Sequence, residues 1–227
     1  MKESLHYLSM NRYRLFQLRY FIGVLFVIYL LSTFSFMIGE GGGWAYFSIH
    51  DRNALTNNMH WFSFNIFPLL VPFNFFGHVL VQESPFEFVR IRHPRHLFVI
   101  SLVWMAIYSA SYVFISILFA LFFQADKGVP LAFILSLFIH LVITLWSMLI
   151  LQTTIHCLGY SILGLVVNLV IIVHSFYSQV GFKWIMTDPS TQMTARTLLV
   201  RFLMMVLITA LAYSAYWYQP RLKMKAN

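Results

Sequence analysis

Four histidines fall in or at the ends of apolar stretches: His78, His140, His156 and His174. Neutral imidazoles ligate haem iron and transition metals, so four of them in an apolar chain could hold two haems or a metal. His156 and His174 are 18 residues apart, five helical turns, and on a single helix they would share one face near opposite ends. A two-haem arrangement also needs a second helix with matching histidine spacing, and the sequence has none. The plainer reading of each is a neutral histidine hydrogen-bonded to a neighbouring helix. His93 and His96 flank Pro94 in a basic stretch and read as surface residues.

Other chemistries have less support. The only cysteine is Cys157, which rules out an intrachain disulfide and a CxxC metal site. There is no H-E-x-x-H and no G-x-S-x-G elbow, so the chain reads as non-enzymatic. There is also no G-x-x-x-x-G-K-[ST], so ATP is not bound here through a P-loop. Gly41, Gly42 and Gly43 are followed by Trp44 and read as a flexible loop. No Asp, Glu or Lys lies near the middle of an apolar run, whereas ion-coupled transporters carry buried ionisable groups on their pathways. If the chain transports, its energy comes from a partner. Asn65, Asn74 and Asn168 are then the polar candidates along a pathway. Each alone is more simply an interhelical hydrogen bond, worth about 1 kcal/mol.

The elements that must position these groups are membrane spans. Of 227 residues, 60% are hydrophobic, 19% aromatic and 10% charged, too little polar surface for a dissolved domain. A span needs about 20 apolar residues, and such runs cover about 20–39, 62–81, 98–123, 129–151, 155–176 and 198–218. The expected fold is all-α: one polytopic transmembrane domain over 1–227 with six transmembrane helices. The first run is too long for a signal-peptide core and reads as a retained span. Pro68, Pro72, Asn65 and Asn74 interrupt the second, which reads as a kinked span or, less simply, a cavity lining. Spans four and five are expected to meet in a tight hairpin around residues 152–154. Residues 182–186, Phe-Lys-Trp-Ile-Met, are too apolar for a free loop and either lie in the interface or re-enter between helices.

Orientation follows from the basic residues. Lys2, Arg12, Arg14, Arg19, Arg90, Arg92, Arg95, Arg221, Lys223 and Lys225 flank one side. Arg52, Lys127, Lys183, Arg196 and Arg201 flank the other. Ten against five places both termini in the cytoplasm. The net charge of +8 fits membrane lipids with anionic headgroups; a nucleic-acid partner would need a continuous basic face, and none is visible.

The most specific segment runs from Glu83 to Arg95. Ser84, Pro85 and Glu87 take the N-cap, first and third positions of a helix start, a capping box with proline where its missing N–H is harmless. Pro94 disfavours helical geometry at His93, which limits the helix to about two turns. Phe86 and Val89 share a face, with Arg90 beside them. Taken alone, this is a capped amphipathic helix that could anchor to lipid or dock a cytoplasmic partner.

Glu-Ser-x-x-Glu-x-x-Arg-x-Arg-x-Pro-Arg followed at once by a long apolar span resembles the cytoplasmic segment of type-2 ABC exporter permeases (the ABC-2 family), in the small six-span form of peptide export, bacteriocin export and immunity systems. The layout agrees across the chain; the motif covers some 15–20 residues. The resemblance implies that Glu83, Ser84, Pro85, Phe86, Glu87, Val89, Arg90, Arg92 and Arg95 form a short cytoplasmic coupling helix between spans two and three. It implies separate ABC ATPase subunits carrying ATP and Mg, a second permease subunit, identical or related, and no cofactor in this chain. It also implies a bacterial plasma-membrane location and outward movement of a peptide, peptide antibiotic or lipid. The N-terminal Leu5, Leu8, Leu15 and Leu18 with Arg12, Arg14 and Arg19 would match the family's interfacial helix, or serve as a plain juxtamembrane anchor.

Overall fold

The computed structural model describes residues 45–49, 55–72, 75–80, 94–122, 130–178 and 184–225, together with Val27. Among these residues the chain is helical and has no strand. The described residues form these α-helices in order: α1 Met59–Leu70, α2 Phe75–Leu80, α3 Pro94–Phe122, α4 Leu131–Cys157, α5 Ser161–Tyr177, α6 Pro189–Gln192 and α7 Ala195–Lys225. Short 3-10 turns at Ala45–Phe47 and Leu55–Asn58 precede α1.

Among the described residues, three helices are long and apolar enough to cross a membrane: Arg95–Phe122 of α3, Leu131–Cys157 of α4 and Ala195–Tyr218 of α7. The 17 residues of α5 stand at the short end of what spans a hydrocarbon core. The expected second span is two helices of 12 and 6 residues, with a turn at Val71–Pro72 between them. The expected first span, 20–39, lies outside the described residues apart from Val27, as does the N-terminal leucine and arginine stretch.

The α4–α5 connection differs from its expected place. α4 continues through Gln152, Thr153 and Thr154 to Cys157, and the turn falls at residues 158–160. Gly159 makes that turn possible at φ +97°, a left-handed conformation that costs glycine nothing sterically. His156 therefore belongs to α4 and His174 to α5. The two histidines do not share a helix face.

Neighbouring elements run in alternate directions. Tyr112 of α3 reaches Phe64 of α1, and Tyr108 of α3 lies against Phe76 of α2, so α3 runs antiparallel to the broken segment. Asn168 of α5 bonds to Met148 of α4 across their hairpin. α7 runs parallel to α4, meeting it at His140 and Arg201 near their starts and sharing a core at Cys157 and Tyr216 near their ends. The centre of that core holds Trp61, Met148, Phe176 and Ile172, all essentially inaccessible. Outward faces carry Val103, Ile107 and Phe114 on α3 and Phe202, Leu203 and Leu207 on α7, as a lipid-facing bundle requires.

Candidate functional site: a broken helix sealed by its neighbours

Two prolines interrupt the second apolar segment, and the first strips a backbone carbonyl of its helical donor. Pro68 has no N–H to offer the carbonyl of Phe64, four residues earlier. The hydroxyl of Tyr112, from α3, donates to that carbonyl at 3.0 Å. α1 ends at Leu70, and the Leu69 carbonyl in its last turn accepts from Gln152 Nε2 of α4 at 3.4 Å. In an apolar environment an unserved carbonyl costs several kcal/mol. Neighbouring helices thus supply by side chain what the proline-broken backbone lacks.

Below the break lies a cavity of about 10 Å³ lined by Pro72, Phe76, Gly77, Leu149, Gln152, Thr153 and His156. Gln152 is 4% exposed, and its Oε1 has no hydrogen-bond partner among the described residues. Gly77 lets α2 approach α4 closely: a Cβ there would stand 2.4 Å from the His156 ring. The same packing recurs at Gly164 of α5, where a Cβ would lie 2.7 Å from the Gln152 carbonyl. Small residues and polar side chains thus meet at one level of the bundle, the composition expected where helices pack closely in lipid.

Nearer the middle of α4, a chain segment dips between the helices and bonds to Thr144 and Ser147. Trp184, Ile185 and Met186 are buried. The Trp184 indole donates to Ser147 Oγ at 2.8 Å, and Thr144 Oγ1 donates to the Trp184 carbonyl at 3.2 Å. The Trp61 indole donates to the Met186 carbonyl at 2.8 Å. Residues 182–186 were expected either in the interface or between helices, and the described part of them lies between helices. α6 follows, with Asp188 as its N-cap accepting from the Ser190 N–H. Burial on its own would raise the Asp188 carboxyl pKa, but hydrogen bonds from Ser190 and Thr191 outweigh it and hold it below its ordinary value.

Beside this segment, Arg201 is fully buried and its Nη1 donates to His140 Nδ1 at 2.8 Å. Arginine has no acceptor, so Nδ1 must accept and the imidazole carries its proton on Nε2. Read from the sequence, Arg201 flanks a span. In the fold it stands two turns inside α7 and pairs with α4. Its signal was a basic residue with apolar neighbours on both sides, the pattern of a group that needs a partner inside the bundle.

The remaining expected site residues are dispersed. Asn65 is buried and donates to the Trp61 carbonyl of its own helix at 2.9 Å. Asn168 is buried at the α4–α5 contact, its Nδ2 on the Met148 carbonyl at 3.0 Å. They do not meet, and Asn74 lies outside the described residues. His140 and His156 belong to opposite ends of α4, and His174 to the last turn of α5. Nothing is described of the His78 side chain. Among the described residues no three His, Cys, Asp or Glu side chains converge as a metal-ion set. Of the segment from Glu83 to Arg95, residues 83–93 lie outside the described residues. Arg95 itself is the second residue of α3, exposed, with its guanidinium 5.4 Å from the Trp217 ring centre of α7. His96 is exposed, as expected of a surface residue.

No protein-family model matches this chain, and neither a curated protein nor a solved structure matches it.

Proposed function

We propose that the chain is the permease subunit of an ATP-driven exporter, with the ATPase on a separate subunit. In this reading residues 83–93 hold the cytoplasmic coupling helix and Arg95 joins it to α3, a second permease subunit completes the pathway, and both termini face the cytoplasm of a bacterial cell. The cargo is amphipathic: a peptide, a peptide antibiotic or a lipid.

The observation that carries the reading is the join at Pro94–Arg95. α3 is described from Pro94 onward, directly after the basic stretch in sequence, and Arg95 lies over Trp217 of α7. Phe98 of α3 stacks on Tyr216 at 5.5 Å and meets Tyr213 edge-on at 5.4 Å. A push on the coupling helix would therefore reach two long helices at once through rigid aromatic contacts. The spans α3, α4 and α5 contain no Asp, Glu or Lys, which favours energy supplied by a partner over an ion gradient.

The test is affinity purification of the tagged chain from its native membrane in mild detergent, followed by mass spectrometry. A stoichiometric ABC ATPase subunit is the expected companion. A clean preparation with no ATPase would overturn the reading, and visible haem absorbance in it would turn attention to His78, His140, His156 and His174.

A further inference from the structure

We infer that the cavity beneath the helix break is a binding site for one water molecule. Three observations converge on it. Its volume, about 10 Å³, is close to what a single water needs and too small for an organic ligand. Its lining is mixed: Pro72, Phe76 and Leu149 are apolar, while Gln152, Thr153 and His156 are polar. Gln152 is nine-tenths buried or more, yet Oε1 meets no donor among the described residues although its Nε2 is engaged with Leu69.

The chemistry selects water over other occupants. A buried amide oxygen left bare is unfavourable, and what it lacks is a donor. Water donates twice and accepts twice, so one molecule can serve Oε1 and bond a second polar neighbour. An apolar cavity of this size would stay dry; one with a bare acceptor on its wall does not. The site lies where α2 packs closely on α4, with Gly77 against the His156 ring. This inference does not depend on the exporter reading.

The test is water-edited solid-state NMR on the full isotope-labelled chain in lipid bilayers, with no ATPase or cargo required. The side-chain signals of Gln152 should receive magnetisation from water, while Met148, one turn away and fully buried, should stay dark. The Gln152→Met variant removes the acceptor at similar volume and should abolish water transfer to Thr153. Thr153→Val keeps the acceptor and should leave transfer to Gln152 in place, which guards against a variant that fails to fold. A Gln152 signal as dark as that of Met148 would overturn the inference. So would a sodium-dependent shift of Gln152 without water transfer, because the site would then be a cation site.

Discussion

Tyr112 donates its hydroxyl to the one carbonyl, that of Phe64, which Pro68 cannot serve. The helix interruption and its repair lie 44 residues apart in sequence, on different helices. Tyr112→Phe should therefore destabilise the chain by about 0.5–1.5 kcal/mol, read as a shift in unfolding midpoint in detergent. Pro68→Ala restores an N–H to the Phe64 carbonyl, so in that background Tyr112→Phe should cost close to nothing. Equal costs in both backgrounds would show that the hydroxyl is doing something else.

Gly77 and His156 make a complementary pair. Gly77→Ala puts a methyl 2.4 Å from the imidazole, and the overpacking should cost about 1–3 kcal/mol. Combining it with His156→Ala should recover part of the loss by opening room on the α4 side. Additive losses in the thermal midpoints of the two single variants and the double would argue against direct contact.

Arg201 is buried against His140. His140→Leu takes away an acceptor from a desolvated guanidinium and should cost about 1–3 kcal/mol. Replacing both with leucine should be milder than replacing His140 alone, since the charge leaves together with its partner. Denaturant titration of the three variants decides it.

Asp188 caps α6, and its carboxyl pKa is depressed in the folded chain. A group with a lowered folded pKa contributes stability above its unfolded value and loses it as pH falls through the folded one. The cap should thus be fully effective at neutral pH and fade under strong acid. Asp188→Asn should remove that acid sensitivity, and Asp188→Ala should cost about 0.5–2 kcal/mol at neutral pH. Melting temperatures measured across an acid series give both answers.

Glu87 and Trp217 test the coupling proposal. Glu87→Ala should loosen the capped segment by about 0.5–2 kcal/mol and lower the cargo moved per ATP hydrolysed. Trp217→Ala should do the same by freeing Arg95. Either variant exporting at the normal ratio would remove its residue from the coupling path.

The long helices were legible from the sequence because apolar runs of their length have few other uses. α3, α4 and α7 coincide with the expected runs to within a few residues, apart from ends that extend into polar sequence. The apolar character of Trp184, Ile185 and Met186 likewise excluded a free loop, leaving the interface or a place between helices, and the packing decides for the second. The α4–α5 turn was misplaced for a physical reason. Gln152, Thr153 and Thr154 look like a polar connection, but Thr154 turns its hydroxyl back onto the Ile150 carbonyl and Gln152 reaches across to Leu69. Polar residues that spend their hydrogen bonds inside the bundle resemble a loop until the partners are known. Tyr112 and Arg201 were hidden for a related reason: their partners are set by packing between helices distant in sequence, which no local pattern records.

The closure by Trp184 and Met186 also orders events during synthesis. The Met186 carbonyl serves Trp61, which precedes it by 125 residues, and Trp184 serves Ser147, which precedes it by 37. Until the ribosome has delivered residue 186, the indole of Trp61 and the hydroxyl of Ser147 stand in a half-built bundle without these partners. A chain stopped after α5 would keep its apolar helices yet leave that polar seam open. Residues 184–186 thus close, late in synthesis, a seam whose other side is laid down with α1 and α4.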